Sequence, residues 1–196
     1  MTKDFSDVPA SRLWPVWNLP TMLTCLRLVL VPLLAVLLWS DLDPSGRVVA
    51  AVVFATGVTT DFLDGHLARR WDQVTAFGKL ADPIADKCLV GVALVGLSWR
   101  GELPWWVTGV VLARELAVTL LRWWLKRRGY GVMAAGPSGK LKMVAQSVAV
   151  TLYLLPLVGW WPDTAIPLAC VLAVALGLTL WSGWVYFAAA RRLVRA

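Results

Sequence analysis

Four aspartates stand close together in a chain that is otherwise poor in charge. Residues 61–86 read DFLDGHLARRWDQVTAFGKLADPIAD, and apolar sequence flanks this stretch on both sides. Carboxylates in such surroundings are unfavourable unless positive charge compensates them. Divalent metal ions supply that charge and also bind phosphates, so the pattern points to phosphate chemistry. The four are Asp61, Asp64, Asp82 and Asp86.

The spacing of the aspartates predicts that they meet. Asp61 and Asp64 are three positions apart and Asp82 and Asp86 are four apart, so each pair shares one face of a helix. Two helices joined by a short connection run antiparallel, which brings both polar halves to the same level. Carboxylate oxygens suit hard ions, Mg²⁺ or Mn²⁺. Two such ions would clamp a pyrophosphate and an incoming oxygen.

Small residues and one cation accompany the aspartates. Gly65, Ala68 and Gly78 leave room for a bulky nucleotide to approach the helix backbones, and Arg69 is placed to meet a phosphate oxygen. The alternative is that the aspartates only cap two helices and pair with neighbouring basic residues. Four carboxylates in register with three small residues favour the site.

Composition predicts an all-α integral membrane protein. Of the 196 residues 59% are hydrophobic and 16% charged, and several segments approach the ~20 apolar residues that cross a bilayer. About six transmembrane helices fit, over 21–40, 47–70, 78–99, 104–125, 141–157 and 166–190. They form one domain, 20–196. Residues 1–19 are a juxtamembrane segment, either an amphipathic stretch on the membrane surface or a disordered tail.

The basic residues predict the orientation. Arg47 and Arg100 alone fall in loops on one side of the six-helix arrangement, and thirteen other basic residues fall on the opposite side, which the positive-inside rule makes cytoplasmic. Both termini and the aspartates then face the cytoplasm. The same distribution explains the net charge of +7 without nucleic acid. The cytoplasmic set is Lys3, Arg12, Arg69, Arg70, Lys79, Lys126, Arg127, Arg128, Lys140, Lys142, Arg191, Arg192 and Arg195.

A second group of charges lies in the fourth and fifth helices. Arg114, Glu115 and Arg122 share a face of an otherwise apolar helix, which predicts that they point into the bundle. Lys140 and Lys142 open the next helix at the same cytoplasmic side. A basic pocket beside the carboxylates implies an acceptor that itself carries phosphate. The alternative for Arg122 and the two lysines is that they extend to the interface for topology alone.

The aspartate stretch resembles the CDP-alcohol phosphotransferases. Their pattern is Asp, two residues, Asp-Gly, two residues, Ala-Arg, eight residues, Gly, three residues, Asp, three residues, Asp. The positions that match are Asp61, Asp64, Gly65, Ala68, Arg69, Gly78, Asp82 and Asp86. The resemblance implies that the four aspartates bind metal, that Asp86 is also the general base, and that CMP is displaced from a CDP-linked lipid. It further implies that Asp61, Gly65, Arg69 and Gly78 contact the CDP moiety, and that the protein is a homodimer.

Shorter motifs indicate a branch of that family. VLARELAVTLLR and AAGPSGKLKMVAQ look like the phosphatidylglycerophosphate synthase branch, where Ala-Arg-Glu and Gly-Lys-x-Lys-x-x-x-Gln recur. NLPTMLTCLR is similar to that branch's Asn-x-Pro-Asn-x-x-Thr-x-x-Arg, with Thr24 and Arg27 matching and Thr21 replacing the second Asn. The substrates implied are CDP-diacylglycerol and sn-glycerol 3-phosphate, at the cytoplasmic face of the inner membrane.

Three other functions stay open at this level. A cardiolipin synthase of the same family takes phosphatidylglycerol as acceptor, and a phosphatidylinositol phosphate synthase takes a sugar phosphate. A divalent-cation transporter would use the aspartates as a transit site. Such sites tend to lie at the bilayer midplane within repeats, whereas this cluster lies toward one face and the chain shows no repeat.

Overall fold

The computed structural model describes residues 19–41, 43–71, 76–130 and 137–195, with side chains over 22–41, 43–62, 84–130 and 139–195. The predicted N-terminal segment falls outside these ranges except at its last residue. All regular structure within them is helical. The elements are α1 Leu19–Trp39, α2 Pro44–Trp71, α3 Ala76–Trp99, α4 Trp105–Arg127, α5 Pro137–Leu154, a short α6 Leu157–Trp160, a 3-10 turn Pro162–Thr164 and α7 Ala165–Arg195.

Local chemistry explains several helix ends. Asp43 caps α2: its carboxylate accepts from Ser45 Oγ at 2.6 Å and from the Gly46 amide at 2.7 Å. These two bonds, of which the one from Ser45 has the larger effect, hold the pKa of Asp43 below its usual value. The fifth helix begins four residues before its predicted start, at Pro137, because proline suits the first helical position. It also ends three residues early, just before Pro156, which cannot continue the helix hydrogen bonds.

Close packing determines how the central helices lie against one another. α1 lies against α2 and α3, α2 also packs on α5, and α7 lies against α4 and α5. Gly57 of α2 is so near Leu89 of α3 that a Cβ at position 57 would lie 2.5 Å from a Leu89 methyl carbon. Gly96 of α3 approaches Leu38 of α1 in the same way, at 2.6 Å. Glycine is needed at both places because the helices touch there.

Arg47 ties the helices together at the end away from the aspartates. Its guanidinium donates to the carbonyls of Tyr153 at 2.9 Å and Leu154 at 3.3 Å and forms an ion pair with Glu102. The last carbonyls of a helix have no partner within the helix. One side chain therefore completes the end of α5 and links it to α2 and to the turn between α3 and α4.

Large apolar side chains cover the outer surface. Val36, Val52, Leu116 and Ile166, on four different helices, are each more than half exposed. Patches of this extent mark contact with a membrane or another protein. Two stretches among the described residues, Met22–Trp39 and Pro162–Arg195, are long and apolar enough to cross a membrane. The all-helical class is confirmed and is consistent with a membrane protein, while six spans remain a prediction.

Candidate active site

Asp61 and Asp86 lie at the same level of two antiparallel helices. The reference point is the contact between Gly57 and Leu89. Asp61 follows Gly57 by four residues and Asp86 precedes Leu89 by three. At a rise of 1.5 Å per residue both lie roughly 5–6 Å beyond the contact, in the same direction. The electrostatic influence of Asp61 on Asp86 agrees with this placement.

Arg27 of α1 holds Asp61. Its side chain is completely buried, with Nη1 3.0 Å from Asp61 Oδ1, and its Nε donates to the Gly57 carbonyl at 3.3 Å. Thr24, three residues earlier, is buried as well. A buried guanidinium is stable only when paired, so Arg27 fixes the position of Asp61. Spacing within one helix did not indicate this pairing, because 34 residues separate the partners.

Asp86 faces a small cavity between α3, α4 and α5. The cavity has a volume of about 50 Å³. Charges of both signs act on Asp86: Asp61 and Glu115 are negative, and Lys142 and Arg27 are positive. The carboxylate is therefore placed where a small polar group can reach it beside a cation. The lining residues are Asp86, Lys87, Val90, Leu112, Glu115, Lys142, Met143, Gln146 and Ser147.

Glu115 joins two of the predicted cations. Its Oε1 accepts from Arg114 Nη1 at 2.7 Å and from Lys142 Nζ at 2.6 Å. Arg114 Nε also donates to the Thr179 carbonyl of α7 at 3.2 Å, and its Nη2 bonds to Ser182 Oγ. The pairing places Lys142 at the cavity and directs Arg114 toward α7.

The remaining two predicted cations, Arg122 and Lys140, both with described side chains, do not bond to Glu115. Arg122 packs over the ring of Tyr186, with Cζ 4.5 Å from the ring centroid, and donates to its hydroxyl. Its Nε is buried without a hydrogen-bond partner among the described residues. Lys140 is exposed near the start of α5. Sequence reasoning missed Tyr186 and Ser182, which stand in a long apolar helix without any motif.

The rest of the predicted site lies on α2 and α3 but outside the described side chains. Asp64, Gly65, Ala68 and Arg69 belong to the C-terminal part of α2, and Gly78 and Asp82 to the N-terminal part of α3. Among the described residues no three potential metal ligands cluster together. Only two of the four predicted metal ligands, Asp61 and Asp86, have described side chains. The metal centre and the CDP contacts therefore remain predictions.

An apolar groove runs along the outside of α2 and α5 beside this cavity. It measures about 390 Å³. Thr59 and Phe62, on either side of Asp61, form part of one wall, and Met143 and Ser147 line both the groove and the Asp86 cavity. The groove therefore connects the apolar surface with the carboxylates. Its lining is Ala55, Val58, Thr59, Phe62, Met143, Val144, Ser147, Val148, Thr151 and Leu152.

Known proteins that are similar to this chain are named for one enzyme activity. A protein of Mycobacterium tuberculosis named "Probable phosphatidylglycerophosphate synthase" is 49% identical over 177 residues, covering 89% of this chain and 82% of its own. Proteins of Salmonella choleraesuis and Escherichia coli named "CDP-diacylglycerol--glycerol-3-phosphate 3-phosphatidyltransferase" are 39% and 38% identical over 181 residues, covering 89% of this chain and 96% of theirs.

The family model for CDP-alcohol phosphatidyltransferase matches residues 17–189. The predicted family and its branch are confirmed, as is the prediction that the protein is an enzyme. The match includes the aspartates of α2 and α3 together with the charged residues of α4 and α5. The chain belongs to the CDP-alcohol phosphatidyltransferase family.

Proposed function

We propose that the protein transfers the phosphatidyl group of CDP-diacylglycerol to sn-glycerol 3-phosphate, giving phosphatidylglycerophosphate and CMP. The observation that carries the proposal is a small cavity lined by Asp86 and Lys142, with Asp61 at the level of Asp86 on the neighbouring helix. Carboxylates for metal-assisted phosphoryl chemistry thus adjoin a cation suited to a phosphorylated acceptor. The names of the relatives support the same pair of substrates.

The described residues fit a divalent-metal centre. Asp61 and Asp86 supply hard oxygen donors at one level of two helices, and metal dependence is general in this family. We propose Asp61, Asp64, Asp82 and Asp86 as the ligands of two ions, Mg²⁺ or Mn²⁺. The ions would neutralise the pyrophosphate and stabilise departing CMP. Asp61, Gly65, Arg69 and Gly78 would contact the CDP moiety.

Asp86 is proposed as the general base. It faces the cavity, whereas Asp61 is tied to Arg27. The acceptor hydroxyl gives its proton to Asp86 as its oxygen bonds to the β-phosphorus of CDP-diacylglycerol. The bond from that phosphorus to the bridging oxygen breaks, and CMP leaves with the electron pair. A correctly placed base contributes about 10²- to 10⁴-fold to such a step.

The phosphate of the acceptor is assigned to the basic residues of α4 and α5. Lys142 is the cation at the cavity, and Glu115 holds it together with Arg114. Arg122 and Lys140 would extend the positive field toward the cytoplasmic opening. This assignment favours an acceptor with a phosphate monoester over phosphatidylglycerol, the acceptor of a cardiolipin synthase, whose phosphate is a diester with a single charge.

The groove between α2 and α5 is suited to the acyl chains of CDP-diacylglycerol. Its walls are largely apolar, it opens on the surface, and it reaches the residues beside Asp61. A lipid entering from the bilayer would bring its pyrophosphate to the aspartates while its chains stay in apolar surroundings. The soluble acceptor would arrive from the opposite, basic side.

The tryptophans of α4 support a transmembrane placement. Trp105 and Trp106 begin the helix and Trp123 and Trp124 approach its end, 18 positions later (105 to 123 and 106 to 124). That separation is about 27 Å along a helix, close to the ~30 Å hydrocarbon core. Aromatic residues at both interfaces are typical of spanning helices.

We propose six spans in the inner membrane, the active site at the cytoplasmic face, and a homodimer.

An acceptor panel tests the proposed reaction. The purified protein, in nanodiscs containing CDP-diacylglycerol, receives sn-glycerol 3-phosphate, phosphatidylglycerol or an inositol phosphate, and CMP release is measured with and without a chelator. We expect metal-dependent release with glycerol 3-phosphate only. Comparable release with another acceptor would overturn the assignment. Metal uptake into liposomes lacking CDP-diacylglycerol would instead favour a transporter.

A further inference from the structure

Gln146 is an exception among the polar residues of α5. The residue is only 5% exposed, and neither Oε1 nor Nε2 has a hydrogen-bond partner in the described part of the chain. Ser147 and Thr151 instead donate to carbonyls of their own helix, and Lys142 donates to Glu115. Buried polar groups are nearly always paired, and one left without a partner is destabilising. The exception therefore indicates a ligand.

The position of Gln146 identifies where that ligand sits. It follows Lys142 by four residues, so both lie on one face of α5, and both line the cavity that Asp86 faces. A group bound by Gln146 is therefore a neighbour of the proposed base and of the proposed phosphate-binding lysine. The cavity is about 50 Å³, a volume that admits a single hydroxyl group of a larger acceptor and excludes a nucleobase.

The chemistry of the amide selects the kind of group. Oε1 accepts a hydrogen bond and Nε2 donates, so a partner that satisfies both must donate and accept at once. A hydroxyl does this. A phosphate dianion only accepts, and would leave Oε1 without a donor. The pyrophosphate and the acceptor phosphate are thus poor partners for Gln146, whereas an alcohol matches it.

We infer that Gln146 is a specificity-determining residue that binds the second hydroxyl of the acceptor, the one on C2 of glycerol 3-phosphate. This inference rests on the proposed function. Glycerol 3-phosphate carries two hydroxyls: the terminal one attacks phosphorus beside Asp86, and the C2 hydroxyl remains to be recognised. Gln146 makes the enzyme prefer an acceptor with a hydroxyl next to the attacking carbon. An acceptor with a plain methylene there would leave the amide unpaired.

The test compares glycerol 3-phosphate with 3-hydroxypropyl phosphate, which lacks only the C2 hydroxyl. kcat and KM are measured for both with the wild type and Gln146→Leu in the same nanodiscs. We expect the wild type to favour glycerol 3-phosphate about 10- to 100-fold in kcat/KM, as a hydrogen-bonding site does against an analogue that lacks the group. Gln146→Leu should lose most of that preference by losing activity on glycerol 3-phosphate alone.

The outcomes separate this inference from the reaction itself. If the wild type fails to turn over glycerol 3-phosphate, the proposed function fails. If it turns over that substrate but Gln146→Leu keeps the wild-type preference, or loses equally on both substrates, the inference fails alone and Gln146 holds only water or structure. Thr108→Val is the control: Thr108 is buried, its hydroxyl is bonded to Ser98 and to the Leu94 carbonyl, and it does not line the cavity, so the ratio of the two substrates should not change.

A stability measurement guards against misfolding. Leucine is close to glutamine in size and removes two buried polar atoms that lack partners. Gln146→Leu should therefore unfold at the same temperature as the wild type or a higher one, when no acceptor is present. A clear fall in the unfolding temperature would mean that the protein itself satisfies the amide, and would overturn the inference.

Discussion

Glu115 offers a sharp test of how the acceptor site is held together. One oxygen, Oε1, accepts from Arg114 at 2.7 Å and from Lys142 at 2.6 Å, and the side chains of these cations are only 11% and 9% exposed. Glu115→Gln keeps the size of the side chain and removes the charge that both cations share. The substitution therefore isolates electrostatics from packing.

The expected loss follows from the contacts. A hydrogen bond involving a charged group contributes about 1.5–3 kcal/mol and a neutral one about 0.5–1.5 kcal/mol. After the substitution both donors are still charged, but they bond to a neutral amide oxygen, so each bond is weakened by on the order of 1 kcal/mol. Two largely buried cations then lack their counter-ion, which raises the total to about 2–4 kcal/mol. In a chain of this length that lowers Tm by about 5–15 °C.

Thermal unfolding followed by tryptophan fluorescence, in one detergent throughout, measures the effect. Adding Lys142→Met to Glu115→Gln removes one of the cations left unpaired, so the double variant should recover at least about 1 kcal/mol of the loss. Lys140→Met is the control, because Lys140 is exposed on the same helix and should give no recovery. Strictly additive effects of Glu115→Gln and Lys142→Met would refute the reasoning, since residues in contact are expected to couple.

Three further changes test other parts of the arrangement. Arg47→Met should lower stability by about 2–4 kcal/mol, because it leaves the α5 carbonyls without their donor and leaves Glu102 paired with Arg100 alone. Thermal unfolding should show a smaller effect for Arg100→Met. Gly57→Ala should overpack the contact between α2 and α3, at about 1–3 kcal/mol, and lower CMP release, whereas Gly177→Ala, which meets nothing within 4 Å, should be neutral or slightly stabilising. Asp86→Asn should abolish CMP release while CDP-diacylglycerol binding stays measurable; full turnover would remove Asp86 from the mechanism.

Patterns local in sequence predicted much of the fold. Apolar runs gave six long helices, all present in the described residues within a few positions of their predicted ends. The last helix continues five residues past its predicted end, and α5 differs at both ends, where Pro137 starts the helix early and Pro156 follows an early end. At the ends of α5 the backbone preferences of proline override hydropathy. Hydropathy indicates whether a segment lies in apolar surroundings, whereas proline determines where the helical hydrogen bonds begin and end.

Pairings between distant positions could not be predicted from local spacing. Arg27 lies 34 residues from Asp61, and Arg122 lies 64 residues from Tyr186. Spacing along a helix shows which residues share a face, but not which face of another helix lies opposite. The sequence motif Gly-Lys-x-Lys-x-x-x-Gln already included Gln146. Its burial without a partner, which gives it a role, exists only once three helices are assembled around it.

The surroundings of Asp61 and Asp86 argue that the two carboxylates do different work. Asp61 lies against a completely buried guanidinium, which fixes its geometry, as a metal ligand requires. Asp86 faces a cavity where charges of both signs act on it, a setting in which a proton can arrive and leave. Helical spacing alone makes the two aspartates equivalent. Arg27, supplied by a helix outside the aspartate motif, makes them unequal, and that inequality supports the proposal that Asp86, and not Asp61, is the ligand that also takes the proton of the acceptor.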